Sequence, residues 1–89
     1  MKYCYFPHQD SILMYVEHNP VQHPLETRET HLTLNTIMGT RKARYAMSDD
    51  GQIQMHVYAC GANDFIKVEK ILLERQFSYM TREEQFCLR

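Results

Sequence analysis

The chain has 89 residues, enough for a single domain, and a domain of that length buries only a little over ~60% of its unfolded surface. Its apolar and charged shares, 44% and 24%, are those of a globular protein and argue against disorder. Basic and acidic residues nearly cancel, for a formal net charge of −1, which argues against a dedicated duplex-DNA binder.

Lys2 to Phe6 and Ser11 to Glu17 are rich in aromatic and β-branched residues and flank Pro7-His8-Gln9-Asp10, the pattern of a hairpin. Asp10 or Ser11 could instead cap a short helix through His18. Ile12 and Val16 are weak helix formers, however, and Asn19-Pro20 cuts the segment short, so strand is the better reading. Tyr3 and Tyr5 point opposite to Cys4 and Phe6, and Ile12, Met14 and Val16 point opposite to Leu13 and Tyr15. Both faces of the hairpin are therefore apolar, and both need cover. A final helix or a second polypeptide can supply it, and a homodimer is the commonest solution. Tyr3, Tyr5, Leu13 and Tyr15 are the expected dimer contacts.

His18 to Glu29 holds two X-Pro steps and no periodicity, and reads as a loop. From about His31 to Ala59 the pattern predicts a three-stranded antiparallel meander. Gly39-Thr40 suits a two-residue turn, which pairs Leu34 with Tyr45 and Leu32 with Met47. Ser48-Asp49-Asp50-Gly51 suits a three-residue loop, which pairs Met47 with Ile53, Tyr45 with Met55 and Ala43 with Val57. In that register Leu32, Leu34, Tyr45, Met47, Ile53, Met55 and Val57 share an apolar face. Asn35, Lys42, Arg44, His56 and Tyr58 share the opposite, polar one, with Arg41 beside them.

Asn63 is the expected N-cap of a helix from about Asp64, whose apolar stripe runs through Phe65, Ile66, Val68, Ile71, Leu72, Leu73 and Phe77. Thr81-Arg82-Glu83-Glu84 reads as a capping box opening a short last helix through Leu88. The expected fold is one α+β domain over residues 1–89: an antiparallel sheet of hairpin plus meander, packed against the C-terminal helix, with a short final helix.

Chemistry-bearing motifs are sparse. Cys4, Cys60 and Cys87 are odd in number and far apart, which suits free thiols in a reducing compartment. There is no Cys-x-x-Cys and no zinc-module spacing of histidine, so no metal and no cofactor are expected. On one strand His56 and Cys60 would stand roughly 13 Å apart at ~3.3 Å per residue, too far for a nucleophile and its base. Glu83-Glu84 and Asp49-Asp50 are explained by a helix start and a turn, and no catalytic residue is expected. The apolar run Ile12–Val16 is too short to span a bilayer, and Pro7, His8 and Asp10 interrupt any leader-like segment, so a cytoplasmic location is expected.

These features point to a small, non-enzymatic interaction or regulatory protein that binds another macromolecule as a homodimer, with a protein partner favoured over nucleic acid. The alternative is a single-stranded RNA or DNA binder, or a small metal-independent nuclease. Either would use the polar face of Asn35, Arg41, Lys42, Arg44, His56 and Tyr58.

Overall fold

A computed structural model describes residues 1–39 and 44–88, with Arg44 and Tyr45 described as backbone alone. In chain order the elements are β1 (Lys2–His8), β2 (Ser11–His18), α1 (Pro24–Met38), β3 (Arg44–Met47), β4 (Gln54–Cys60), α2 (Ala62–Glu74), β5 (Ser78–Tyr79) and α3 (Arg82–Phe86). The fold is α+β. Its five-stranded sheet has the order β3-β4-β2-β1-β5 and is mixed: β5 runs parallel to β1, while the other neighbours are antiparallel.

The hairpin expected at the N-terminus is β1–β2, and residues 11–18 are strand rather than helix. The strands run further toward the turn than the sequence suggested. His8 pairs with Ser11, which leaves Gln9 and Asp10 as the loop, with Gln9 at φ 55°.

The largest correction concerns His31 to Met38, which is not a strand but the second half of α1. Pro24 opens this helix at its first turn, and Glu26 adds the negative charge favoured there. The buried stripe of α1 is Thr27, Thr30, Leu34 and Met38, a spacing of three and four. Two of those four positions are threonine, so the helical period is faint in hydropathy, and the alternation of Leu32 and Leu34 with polar neighbours imitates a strand. Leu32 faces outward instead. The hydroxyls of Thr33 and Thr36 donate to the carbonyls of Glu29 and Leu32, the back-bonding that lets a hydroxyl residue sit inside a helix. Gly39, expected as a hairpin turn, ends the helix: it takes φ 67°, and its N–H donates to the carbonyl of Asn35.

The second hairpin exists, and Gly51 takes φ 72° in its turn. The loop is longer than expected, because the Ser48 N–H donates to the Ile53 carbonyl and Met47 pairs with Gln54 rather than Ile53. Ser48 Oγ receives the Ile53 N–H, and the Asp50 carboxylate receives that of Gln52, closing the wider loop. One added residue inverts β4: His56, Tyr58 and Cys60 turn into the core, and Met55, Val57 and Ala59 turn out.

α2 begins two residues before Asp64, with Gly61 rather than Asn63 at the N-cap. Val68 and Leu72 are its buried positions, whereas Ile66 and Leu73 face outward. Phe77 lies beyond the helix and returns to the core through a left-handed Gln76. Thr81 and Glu84 form the expected capping box, but α3 ends at Phe86, short of Leu88.

The connections explain which face of the sheet is covered. β2–α1–β3 joins parallel strands across β4, and β4–α2–β5 joins parallel strands across β2 and β1. The two crossovers travel in opposite directions from antiparallel strands, so the same right-handed rule puts both helices on one face. The core lies there: Tyr3, Met14, Val16, Tyr58 and Cys60 of the sheet against Leu34, Met38, Val68, Leu72 and Phe77. Among the described residues α3 reaches the other face, through the contact of Glu84 with Lys2.

Candidate interaction surface

The uncovered face follows from strand register. Residues paired across antiparallel strands share a side. One row reads Phe6, Leu13, Ala59; the next Cys4, Tyr15, Val57; the third Lys2, Glu17, Met55, Ala46. Phe6, Leu13, Tyr15, Met55 and Val57 are all half-buried, and the rings of Phe6 and Tyr15 meet edge to face at 5.7 Å. Large apolar side chains therefore support one another laterally, while α1 and α2 pack against the opposite face.

α3 covers one corner of this face. Its Glu84 carboxylate accepts from the Lys2 ammonium while also receiving the Thr81 N–H of the capping box. The Lys2 contact, and then the backbone bond from Thr81, hold the Glu84 carboxyl down at about 2. Glu84 in turn raises the Lys2 ammonium above its ordinary value. On the next row of the same face Cys4 is fully buried, and burial pushes its thiol up to about 11. Phe6, Leu13, Tyr15 and Val57 lie on the rows beyond that corner.

The residues expected at a dimer contact divide between the two faces. Leu13 and Tyr15 lie on the uncovered face, as a contact requires. Tyr3 is core, and its hydroxyl donates to Glu69 of α2 at 3.0 Å. Tyr5 is wedged beneath α2 between Phe65 and Tyr79, with ring centroids 4.7 and 5.4 Å away.

Among the described residues the expected polar sheet face does not assemble. Arg41 and Lys42 lie outside the described residues, and Arg44 is placed only by its backbone, paired with Val57. Asn35 is on α1, while His56 and Tyr58 are in the core. Asn35 Nδ2 lies 3.0 Å from His31 Nε2 and donates to it in the tautomer that carries the ring proton on the other nitrogen, Nδ1. That nitrogen faces the Tyr58 hydroxyl oxygen at 3.4 Å. Burial, together with neighbouring imidazoles, lowers His18 and His56 to about 4, and burial raises Tyr58 to about 12.

Sequence reasoning missed His18 and His31 as members of this cluster, since they come from a strand end and a helix without a shared motif. Among the described residues no three His, Cys, Asp or Glu side chains are arranged to hold a metal ion. None of the helices described is long and apolar enough to cross a membrane. Comparison with known proteins finds no matching family model, no matching curated protein and no matching solved structure.

Proposed function

We infer that this chain is a small non-enzymatic interaction protein that acts by binding another macromolecule, and that it does so as a homodimer formed through the uncovered sheet face. The observation that carries the reading is the block of Phe6, Leu13, Tyr15, Met55 and Val57, which are half-buried on a face that the crossovers leave without a helical layer. Contiguous apolar surface of this kind marks association sites on small proteins.

A second copy suits the face better than an unlike partner. Isologous pairing of the apolar rows about a two-fold axis is the commonest closed solution for such a face. The molecule's longer dimensions, 34 and 27 Å, also accommodate the roughly 800 Å² per partner that a stable interface buries. The nucleic-acid alternative would need His56 and Tyr58 on a solvated face, and both are buried.

The test is the mass in solution across a concentration series. The native chain is expected to dimerise, and Tyr15→Arg or Leu13→Arg is expected to shift it to monomer while the isolated monomer still melts cooperatively. A monomeric native chain at high concentration would refute the dimer.

A further inference from the structure

A cleft of about 450 Å³ opens where the first half of α1 meets the turn after α2, on the helical side of the molecule and away from the uncovered sheet face. Phe77, Thr30 and Met1 line it, together with Glu26, Glu29 and Arg75. Its volume is within the range of small-ligand sites.

Arg75 is the fixed point. It caps the C-terminus of α2, and its side chain reaches across to α1, where Nη1 donates to Thr30 Oγ1 at 2.8 Å and Nη2 to Thr33 Oγ1 at 3.1 Å. Thr30 is almost fully buried, so the anchor itself is packed in place. Both acceptors are neutral, and among the described residues no carboxylate forms an ion pair with Arg75. A guanidinium has five N–H donors, and two are engaged here. The remaining three can serve a planar, bidentate acceptor, with part of the rotamer cost already met by the two threonine bonds.

Charge of the other sign lies on α1, the helix that Arg75 itself bonds, where the Glu26 carboxylate also faces His23 Nδ1 at 3.3 Å. Glu26 and Glu29 are one turn apart on α1 and line the same cleft. A plain anion that reached Arg75 would meet these carboxylates, and a plain cation that reached the carboxylates would meet Arg75. A ligand carrying both charges satisfies the site, and one carrying either charge alone is penalised. Phe77 and Met1 supply apolar surface beside the charged groups.

We propose that the α1–α2 cleft binds a free α-amino acid with an apolar side chain, its carboxylate on Arg75, its ammonium on Glu26 and Glu29, and its side chain against Phe77 and Met1.

The experiment titrates the full chain with L-leucine and follows backbone amide shifts by NMR. Saturable shifts are expected at Thr30, Arg75 and Gln76. Isoamylamine and isocaproate, which each keep one of the two charges, are expected to bind at least ~10-fold more weakly. Arg75→Gln removes the carboxylate anchor but also a link between helices. Glu29→Gln, at an exposed position of α1, tests the ammonium site without touching that link. Each is expected to weaken leucine binding at least ~10-fold, with the Glu29→Gln melt unchanged. The proposal is overturned if leucine gives no saturable shift at these amides up to its solubility limit. Equal binding of leucine and either one-charge analogue, or an unaffected Glu29→Gln, would overturn it as well.

Discussion

The imidazoles of His18 and His56 meet edge to face in the core, with ring centroids 5.2 Å apart, and His31 of α1 closes on His56 at 4.5 Å. Each ring comes from a different element, so the contact ties β2, β4 and α1 together. His18 also meets Phe77 at 5.7 Å, which brings in the turn after α2. A positive charge on His18 or His56 would be desolvated and would lie beside a neighbouring imidazole.

A pH dependence follows. Folding lowers His18 and His56 from an ordinary value of 6.5 to about 4, so the unfolded chain binds protons that the folded chain refuses. The stabilisation is fully present above the unfolded value and drains away as pH falls from about 6.5 toward 4. Through that window each histidine contributes a slope of up to about 1.4 kcal/mol per pH unit. Urea melts at pH 7.5, 6, 5 and 4.5 should show midpoints falling steadily below pH 6.5, on the order set by that slope. A midpoint unchanged between pH 7.5 and pH 5 would contradict the buried, neutral assignment.

His18 is the more expensive of the two. It is fully buried, and neither of its ring nitrogens has a hydrogen-bond partner among the described residues. An unsatisfied buried polar group costs about 1–3 kcal/mol, which an apolar side chain of similar size would not incur. His18→Leu is therefore expected to stabilise the domain at pH 7 by on the order of 1 kcal/mol, offset in part by loss of the ring contacts. It should also flatten the acid limb of the stability profile. A variant less stable than the native chain at neutral pH would mean that the imidazole is held by contacts worth more than its desolvation.

The hairpin, the capping box of α3 and the body of α2 were legible because each carries a local signal: alternation, a Thr-x-x-Glu spacing, an apolar stripe. α1 was not. Its inward positions Thr27 and Thr30 are β-branched and polar, so tertiary packing overrides a weak local preference. The wider Ser48–Ile53 loop was illegible for another reason. Its length depends on side-chain bonds from Ser48 and Asp50, and a single residue of loop decides which face of β4 is buried. Histidine and tyrosine compound the error, since an imidazole or phenol reads as polar surface yet packs as a ring. Leu13 and Tyr15 were recoverable as surface candidates from the apolar pattern of the hairpin; Tyr3 and Tyr5 were not separable from them without knowing which face α1 and α2 cover.

Gln76 offers a test of backbone strain. It has φ 64°, and α2 closes on it with two bonds, from the Phe77 N–H to the Leu72 carbonyl and from the Gln76 N–H to the Leu73 carbonyl. These are the paired bonds of a Schellman ending, with Phe77 and Leu72 meeting in the core. The left-handed position usually belongs to glycine, because a Cβ there costs roughly 1–2 kcal/mol. Gln76→Gly removes that cost but adds freedom to the unfolded chain, for a net stabilisation of about 0.5–1 kcal/mol. A thermal melt that falls instead would show that the glutamine side chain contributes more than its backbone strain.

The strap formed by α3 yields the last prediction. Cys4 is fully buried on the sheet face that α3 partly covers, and α3 is held there by the double engagement of Glu84 with Lys2 and with the Thr81 N–H. Cys60 is equally buried but lies on the other side, between the sheet and α1, where its thiol contacts Met38. Cys87 is exposed. In the native chain an alkylating reagent should therefore label Cys87 rapidly and the other two only through opening of the fold. Glu84→Ala deletes one half of the capping box and the Lys2 contact together, so α3 should leave its corner without disturbing the helical side. Cys4 labelling is then expected to rise several-fold while Cys60 keeps its native protection, read by mass spectrometry of the digested protein. Lys2→Met, which keeps the capping box and removes only the ion pair, should give an intermediate rate. Equal acceleration at Cys4 and Cys60 in Glu84→Ala would mean that α3 supports the whole fold rather than one corner of one face.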